Sequence, residues 1–188
     1  LQEAYNAGQR VFGENKIQEM AEKWEQLPKD ISWHMIGHVQ RNKVKYMAAF
    51  VDLIHGVDSL KLLKEIDKQA KKHNRQIMCL LQIKIAEEDS KFGMSAEDAA
   101  TLLDSSEFEA LENVDIIGLM GMATFTDDMK QVQHEFKYLK TTFDSLLKVY
   151  PNLEIISMGM SGDYELAIEE GSTMVRIGSS IFGARNYG

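Results

Sequence analysis

Short apolar segments with strand character alternate with amphipathic segments along the whole of this sequence. Seven segments of the first kind begin near Gln9, Ser32, Val51, Ile77, Val114, Ile155 and Met174. Each is followed by a segment with helical spacing of its apolar residues or by a helical turn. Strict alternation of strand and helix is typical of a parallel sheet joined by right-handed crossovers. We therefore predict an α/β fold.

Two α/β architectures satisfy this alternation, a closed (β/α)₈ barrel and an open doubly wound sheet. Polar residues follow almost every predicted strand, whereas an open sheet concentrates them at one switch point. This difference favours a TIM-type (β/α)₈ barrel. The helical segment Leu1 to Ala7 precedes the first of the seven strands. We therefore expect that the first barrel strand is missing from this chain, and that residues 1–188 form a single domain.

The net charge and the cysteine content exclude several classes of protein. A net charge of −8 argues against nucleic-acid and anionic-membrane partners, because both require a basic surface. No apolar stretch is long enough to span a membrane, and the first residues show no signal-peptide pattern. Cys79 is the one cysteine, so an intrachain disulfide is impossible, and we expect a buried thiol. These features predict a cytoplasmic protein.

Two Gly/Ser turns follow the last two predicted strands. Residues 159–163 (GMSGD) follow the strand that begins at Ile155, and residues 178–180 (GSS) follow the strand that begins at Met174. Backbone N–H groups and hydroxyls in such turns bind anions. In a (β/α)₈ barrel, the loops after the last two strands are the usual phosphate site. Glycine and serine are also ordinary turn residues, but two such turns in succession favour a phosphate site.

Other polar residues near strand ends have both structural and functional interpretations. Arg176 stands two residues before Gly178, so it fits a phosphate or carboxylate contact and a structural ion pair equally well. Asn15 is placed as a helix N-cap, and His34, inside a strand, is typical of a hydrogen-bonded core histidine. Five histidines without close pairing indicate that no metal site is present.

Seven motifs occur in an order that resembles a known family. They are FGENKIQE (Phe12 to Glu19), WHMIGHVQRNK (Trp33 to Lys43), HGVDS (His55 to Ser59), SKFG (Ser90 to Gly93), GLMGM (Gly118 to Met122), MGMSGD (Met158 to Asp163) and the segment Gly171 to Arg185. Together they resemble the YggS/PROSC family of pyridoxal phosphate homeostasis proteins. That family is similar to the N-terminal barrel domain of alanine racemase standing alone.

The resemblance implies a barrel that binds pyridoxal 5′-phosphate (PLP). The implied cofactor-binding residues are Ser161, Gly162, Gly178 and Ser179 at the phosphate, Arg176 beside the cofactor, and Asn15, His34 and Met160 in its surroundings. The family's Schiff-base lysine ends the first strand, so we expect it upstream of Leu1 and predict no catalytic residue within this chain. Lys84 and Lys91 do not match the motif of that lysine.

The function implied by the resemblance is intracellular PLP homeostasis through storage, buffering or delivery of the cofactor, without strong turnover. PLP-requiring apoenzymes are then candidate partners, and a monomer is the expected state. The alternative is a PLP-dependent enzyme similar to an amino-acid racemase, which would need acid–base groups on both faces of the substrate. A phosphosugar-binding barrel is a third hypothesis, which explains the two Gly/Ser turns but not the ordered motifs.

Overall fold

Seven parallel strands form one sheet whose order follows the chain, β1-β2-β3-β4-β5-β6-β7. The structure is a computed structural model and describes residues 1–89 and 92–184. The strands are β1 (Val11–Glu14), β2 (Ser32–Met35), β3 (Leu53–Val57), β4 (Ile77–Gln82), β5 (Val114–Met120), β6 (Ile155–Met160) and β7 (Met174–Arg176). The helices are α1 (Gln2–Asn6), α2 (Ile17–Gln26), α3 (Leu60–Lys72), α4 (Ala96–Leu103), α5 (Ser106–Glu109), α6 (Met129–Leu147), α7 (Tyr164–Glu169) and α8 (Ser179–Phe182).

The strand order confirms the predicted barrel-type fold. Every neighbouring pair is parallel, and no reversal of strand order occurs, so the sheet has no switch point of the kind found in doubly wound folds. All seven predicted strands are present. The strands expected near Gln9 and Val51 begin two residues later than predicted, at Val11 and Leu53.

One helical element of this fold is not an α-helix. The basic segment after Gln40 forms a 3₁₀ helix, Arg41–Tyr46. Its hydrogen bonds span three residues, as in the bonds from Lys43 N to Gln40 O and from Met47 N to Val44 O. The tight turn buries Val44 fully, and Met47 is also buried just after it.

Successive side chains of each strand point to opposite faces of the sheet. One face packs against the helices, and the other is the concave inner face of the curved sheet. The hydrophobic core between the sheet and the helices includes Ile54, Cys79 and Ile116. Burial raises the pKa of the Cys79 thiol far above its usual range, so it is an inert core residue, as predicted. A second apolar cluster contains Leu53, Leu80 and Met120, packed against Ile155 and Met174 among others. This cluster forms an apolar layer on the inner face of the sheet.

The helix ends follow ordinary capping chemistry. Ser59, Ser95 and Asp128 each accept a hydrogen bond from a backbone N–H in the first turn of α3, α4 and α6. Gly171 ends the α7 segment with a φ of 103°, a left-handed conformation that favours glycine. Within residues 1–89 and 92–184, none of the helices combines the length and the apolar content that a membrane span requires.

Candidate functional site

The two Gly/Ser turns lie side by side at the carboxyl ends of β6 and β7. The strands pair in parallel, with Met160 opposite Arg176. The Ser161 hydroxyl oxygen accepts hydrogen bonds from the backbone N–H groups of Gly178 (3.2 Å) and Ser180 (3.3 Å). Two segments that are 17 or more residues apart in sequence therefore form one continuous polar surface.

The conformation of the first turn, residues 159–163, depends on Gly159 and on the carboxylate of Asp163. Gly159 has a φ of 100°, and a Cβ there would lie 2.6 Å from the Ala167 Cβ in α7. Only glycine permits this close approach of the turn to the helix. Asp163 then accepts a hydrogen bond from the Met160 N–H at 2.7 Å, which closes the turn.

The donors in these turns fit an anion. The N–H groups of Gly178 and Ser180 already point at one oxygen, that of Ser161, in the manner in which such groups bind a phosphate oxygen. A Cβ placed on Gly162 or Gly178 would meet no other atom within 4 Å, so there is open space around both positions. Ser179 and Ser180 are exposed in the same turn.

Arg176 is the buried cation of this region, with 9% of its surface exposed. Its guanidinium donates hydrogen bonds from Nη1 to the Ser157 hydroxyl (2.6 Å) and from Nη2 to the Gly121 carbonyl (3.1 Å). No carboxylate of residues 1–89 or 92–184 forms an ion pair with it. Burial lowers the pKa of Arg176 to about 10, and the charge of Asp163 opposes that shift. Arg176 is therefore charged at neutral pH.

A chain of buried polar side chains continues from Arg176 across the interior. Ser157 Oγ lies 2.8 Å from His55 Nδ1, and His55 Nε2 lies 3.0 Å from His34 Nδ1. The chain links β7, β6, β3 and β2, and all four side chains are buried. It forms a polar layer next to the apolar layer that contains Leu53.

Both histidines of this chain are neutral at pH 7. Burial lowers the pKa of His34, and the charge of Asp52 partly offsets that effect. The pKa of His55 is well below its ordinary value because of burial, of the nearby Arg176 cation and of His34. Arg176 is thus the one positive charge in a chain of neutral donors and acceptors.

The sequence-predicted site residues fall into two groups. Ser161, Gly178 and Ser179 come together with Gly162 in the paired turns, and His34 connects to Arg176 through the buried chain. Met160 lies on the turn and is 39% exposed.

Asn15 lies at the exit of β1, at the other end of the strand order. The prediction that it caps α2 is wrong, because the N-cap position is Lys16 and has no side-chain capping bond. Asn15 instead lines a cavity of about 200 Å³ together with Lys16, His38 and Lys43.

Of the two lysines considered from the sequence, only Lys84 lies within the described residues, and its ion pair is neither with the paired turns nor with Arg176. Lys84 lies 3.9 Å from the Asp89 carboxylate in the loop after β4, and Lys91 lies outside the described residues. The described part of the chain also contains no group of three or more histidine, cysteine or carboxylate side chains that could hold a metal ion.

His55 and Ser157, the two central members of the buried chain, are not among the predicted site residues. One signal could have found them. Ser157 is the polar residue within the apolar run of β6, and His55 has the same position in β3. A polar side chain at an inward position of a buried parallel strand must find a partner.

The fold and these turns define a parallel (β/α) barrel-type protein with two paired Gly/Ser turns after its last two strands. The profile of the alanine racemase N-terminal domain family matches residues 1–186. The chain is 40% identical over 189 residues to the pyridoxal phosphate homeostasis protein of Aquifex aeolicus, covering all of this chain and 82% of that protein. It is 39% identical to the homologue of the same name in Haemophilus influenzae, covering 98% of this chain and 79% of that protein. The chain belongs to the alanine racemase N-terminal domain family, and within it to the pyridoxal phosphate homeostasis proteins.

Solved structures agree with this assignment. The structure of PipY from Synechococcus elongatus with PLP bound has a TM-score of 0.87 and 35% identity, covering 97% of this chain and 85% of that one. Alanine racemase from Bartonella henselae has a TM-score of 0.66 at 16% identity, covering 96% of this chain and 48% of that one. The second similarity shows the shared fold alone.

Proposed function

We propose that this chain binds PLP and serves PLP homeostasis by storing, buffering or delivering the cofactor. The observation that carries the proposal is the buried Arg176 cation, which has no carboxylate partner among the described residues and lies on the strand that leads into the paired turns. A buried cation is costly unless an anion accompanies it, and a phosphorylated ligand supplies one. The names of the relatives and the PLP-bound PipY structure support the choice of PLP.

We assign the residues around the cofactor as follows. The phosphate contacts come from Ser161, Gly162, Gly178 and Ser179, Arg176 lies beside the cofactor, and Asn15, His34 and Met160 form its surroundings. PLP, when bound, supplies an aldehyde and an electron-withdrawing ring. The chain's own contribution is to bind and orient that group through N–H donors, hydroxyls and one fixed positive charge.

The racemase alternative receives less support. The similarity to alanine racemases, at 16% identity for the Bartonella henselae enzyme, concerns the fold and does not extend to activity. The pyridoxal phosphate homeostasis proteins match at 39% and 40% identity over nearly the whole chain. Delivery to PLP-requiring apoenzymes, a monomeric state and a cytoplasmic location remain our predictions.

PLP binding to variants of Arg176 tests the proposal. We expect saturable binding by absorbance titration and equilibrium dialysis, weakened at least tenfold in Arg176→Met, because the site then loses its buried charge. Arg176→Lys should bind with intermediate affinity, since it keeps the charge but not the forked donors. Arg10→Met removes an exposed arginine that pairs with Asp30 and should bind as the parent chain does.

Two results would contradict the proposal. The first is the absence of saturable PLP binding in the parent chain, and the second is an unchanged affinity in Arg176→Met. Circular dichroism establishes that each variant is folded. Competition with a sugar phosphate separates the PLP-binding protein from a phosphosugar barrel, because a phosphosugar barrel would bind the competitor in preference to PLP.

A further inference from the structure

We propose that a surface beside the paired turns docks a basic segment of a PLP-requiring apoenzyme, so that the cofactor passes directly between the two proteins. The docking surface consists of Phe125 and Met129, on the connection from β5 into α6, and of Asp163, Glu165 and Glu169, in α7 and just before it. The inference deepens the proposed function, on which it rests, because it names the surface and the partner chemistry that delivery requires.

A groove of about 480 Å³ lies between the start of α6 and α7. Met129 lines it from α6, and Leu166 lines it from α7. A hydrogen bond of 2.6 Å from the Gln133 amide to the Glu170 carboxylate joins α6 to the end of α7. The two walls of the groove are therefore held in place before any partner arrives.

The groove shares two residues with the proposed phosphate contacts. Ser161 and Gly162 line the groove, and both are assigned above to the cofactor phosphate. Gly162 is exposed, and a Cβ placed on it would meet no other atom within 4 Å, so this end of the groove is open. A partner segment in the groove therefore lies directly against the turn that holds the phosphate.

The groove carries negative charge that has no counter-ion. Asp163, Glu165 and Glu169 line it, and no lysine, arginine or histidine of the described residues does so. Within residues 1–89 and 92–184, none of these three carboxylates forms an ion pair. Met129 and Leu166 add apolar surface to the same groove. A segment that presents lysine or arginine among apolar side chains complements both features.

Phe125 is an aromatic side chain that extends into solvent beside this groove. It is 93% exposed, and it lies four residues before Met129, which is 45% exposed. The Phe125 N–H donates to the Glu88 carboxylate at 2.6 Å, and the Thr124 N–H donates to the buried Glu135 at 2.7 Å. The backbone is thus fixed while the ring is in water. An exposed aromatic ring on a fixed loop is typical of an anchor that a partner protein covers.

The charge of the docking surface favours a basic protein over a second copy of this chain or an anionic membrane. The chain has a net charge of −8, so two copies would repel each other at this acidic surface, and an anionic membrane would be repelled as well. An apoenzyme has to bind the PLP phosphate, so its empty site presents cationic side chains and N–H donors. The groove reaches Ser161 and Gly162, and it would place those cations next to the phosphate that they receive.

Docking determines how the rate of transfer depends on concentration. If PLP passed only through solvent, its transfer could be no faster than its release from this chain, and added apoenzyme would not change the rate. If the apoenzyme docks on the loaded chain, the rate of transfer rises with apoenzyme concentration and exceeds the rate of release. The two routes therefore give different kinetics.

Transfer kinetics with the apo forms of an aspartate aminotransferase and a serine hydroxymethyltransferase test the proposal. Recovery of enzyme activity reports transfer, and hydrolysis of free PLP by alkaline phosphatase reports release. For the parent chain we expect transfer that is faster than release and that rises with apoenzyme concentration. In Phe125→Ser and in Glu165→Gln/Glu169→Gln, transfer should slow by at least about threefold, while the affinity for PLP stays within about twofold of the parent's.

Two variants control for the loss of any exposed aromatic ring or carboxylate. Tyr138→Ser removes a ring that is 44% exposed further along α6, and Glu112→Gln removes an exposed carboxylate before β5, at the opposite end of the strands from the turns. Both should transfer PLP as the parent does. Raising the salt concentration from about 50 mM to about 500 mM should slow transfer more in the parent than in Glu165→Gln/Glu169→Gln, because the parent has more charge to screen.

Three results would overturn the proposal. The first is transfer that is no faster than release at any apoenzyme concentration, and the second is transfer by Phe125→Ser and Glu165→Gln/Glu169→Gln at the parent's rate. The third is a dimer of the free chain in sedimentation that Phe125→Ser abolishes, since the surface would then belong to a second copy.

The proposed function and the docking surface fail in different ways. If PLP does not bind, the proposed function is wrong, and sedimentation of the chain with each apoenzyme tests docking without the cofactor. Apoenzyme binding to the parent and not to Phe125→Ser would then support the surface, whereas equal binding, or none, would refute it. If PLP binds but passes only through solvent, storage and buffering stand and this inference alone is refuted.

Discussion

Glu135 is a buried carboxylate on α6 whose role is to hold two loops at the carboxyl edge of the sheet. It accepts hydrogen bonds from the N–H (2.7 Å) and hydroxyl (2.6 Å) of Thr124, after β5, and from the N–H of Glu87 (3.2 Å), after β4. Gln131, one turn earlier on α6, donates a further bond at 3.2 Å. An ionised carboxylate only accepts, so four donors satisfy it without a counter-ion.

Replacing Glu135 by glutamine should destabilise the protein. The amide offers one acceptor oxygen and brings two new donors against a site made of donors, so we expect a loss of about 1–3 kcal/mol in the free energy of unfolding. Urea denaturation measures the change. Glu112→Gln, at an exposed position, should alter the stability by less than about 0.5 kcal/mol. A Glu135→Gln protein as stable as the parent would show that the two loops are held by other contacts.

At the scale of the element, α3 shows how a short sequence signal fixes a boundary. Ser59 precedes the helix in an extended conformation, and its hydroxyl accepts the Leu62 N–H at 3.1 Å. Leu62, Leu63 and Ile66 then bury one face of the helix. The cap and the apolar spacing act at the same end of the helix, and together they set where the helix begins.

Removal of this cap should have a cost of its own. Ser59→Ala leaves one N–H of the first turn without its side-chain acceptor, and we expect a loss of about 1 kcal/mol in unfolding free energy. The matched control is Ser145→Ala on the exposed face of α6, which should be neutral or slightly stabilising because alanine is the better helix former. Thermal denaturation of both variants compares them. Equal losses in the two would mean that the cap at Ser59 contributes nothing specific.

At the scale of the whole molecule, the buried histidines make stability depend on pH. Both have a pKa in the folded protein below the ordinary value of 6.5. Above pH 6.5 they are neutral in the folded and unfolded states alike, and they add no pH dependence. Below that pH the unfolded chain binds protons that the folded chain does not, so the free energy of unfolding falls as the pH falls.

We therefore expect the free protein to lose stability progressively as the pH falls through about 6.5 and below. Urea midpoints measured across this range should fall less steeply in His55→Gln, which removes the histidine with the larger shift. His55→Gln is also expected to be less stable at every pH, so the comparison concerns the slope and not the absolute stability. His73→Gln should keep the parent's slope. If the urea midpoints of the parent, His55→Gln and His73→Gln fall equally steeply with pH, these histidines do not cause the loss of stability at low pH.

The strand–helix alternation and the tandem turns could be predicted because each depends on residues close together in the chain. The strand at Ile77 and the turn at Ser161 were both found from local patterns. The prediction that Asn15 caps α2 was wrong, because Lys16 occupies the N-cap position and makes no side-chain capping bond. The 3₁₀ form of the segment after Gln40 could not be read from the sequence, since the choice between helix types depends on how the segment packs and not on its spacing alone.

The sequence by itself determined that this protein is a parallel α/β barrel-type chain with two Gly/Ser turns after its last strands. Local patterns are sufficient for that, since periodicity, caps and glycines act over a few residues. Only the tertiary structure decided that Arg176 would meet Ser157, and that Ser157 would meet His55 from a strand 102 residues away in the sequence. Side-chain alternation tells which residues point inward, but the curvature and register of the whole sheet decide which of them touch across the interior.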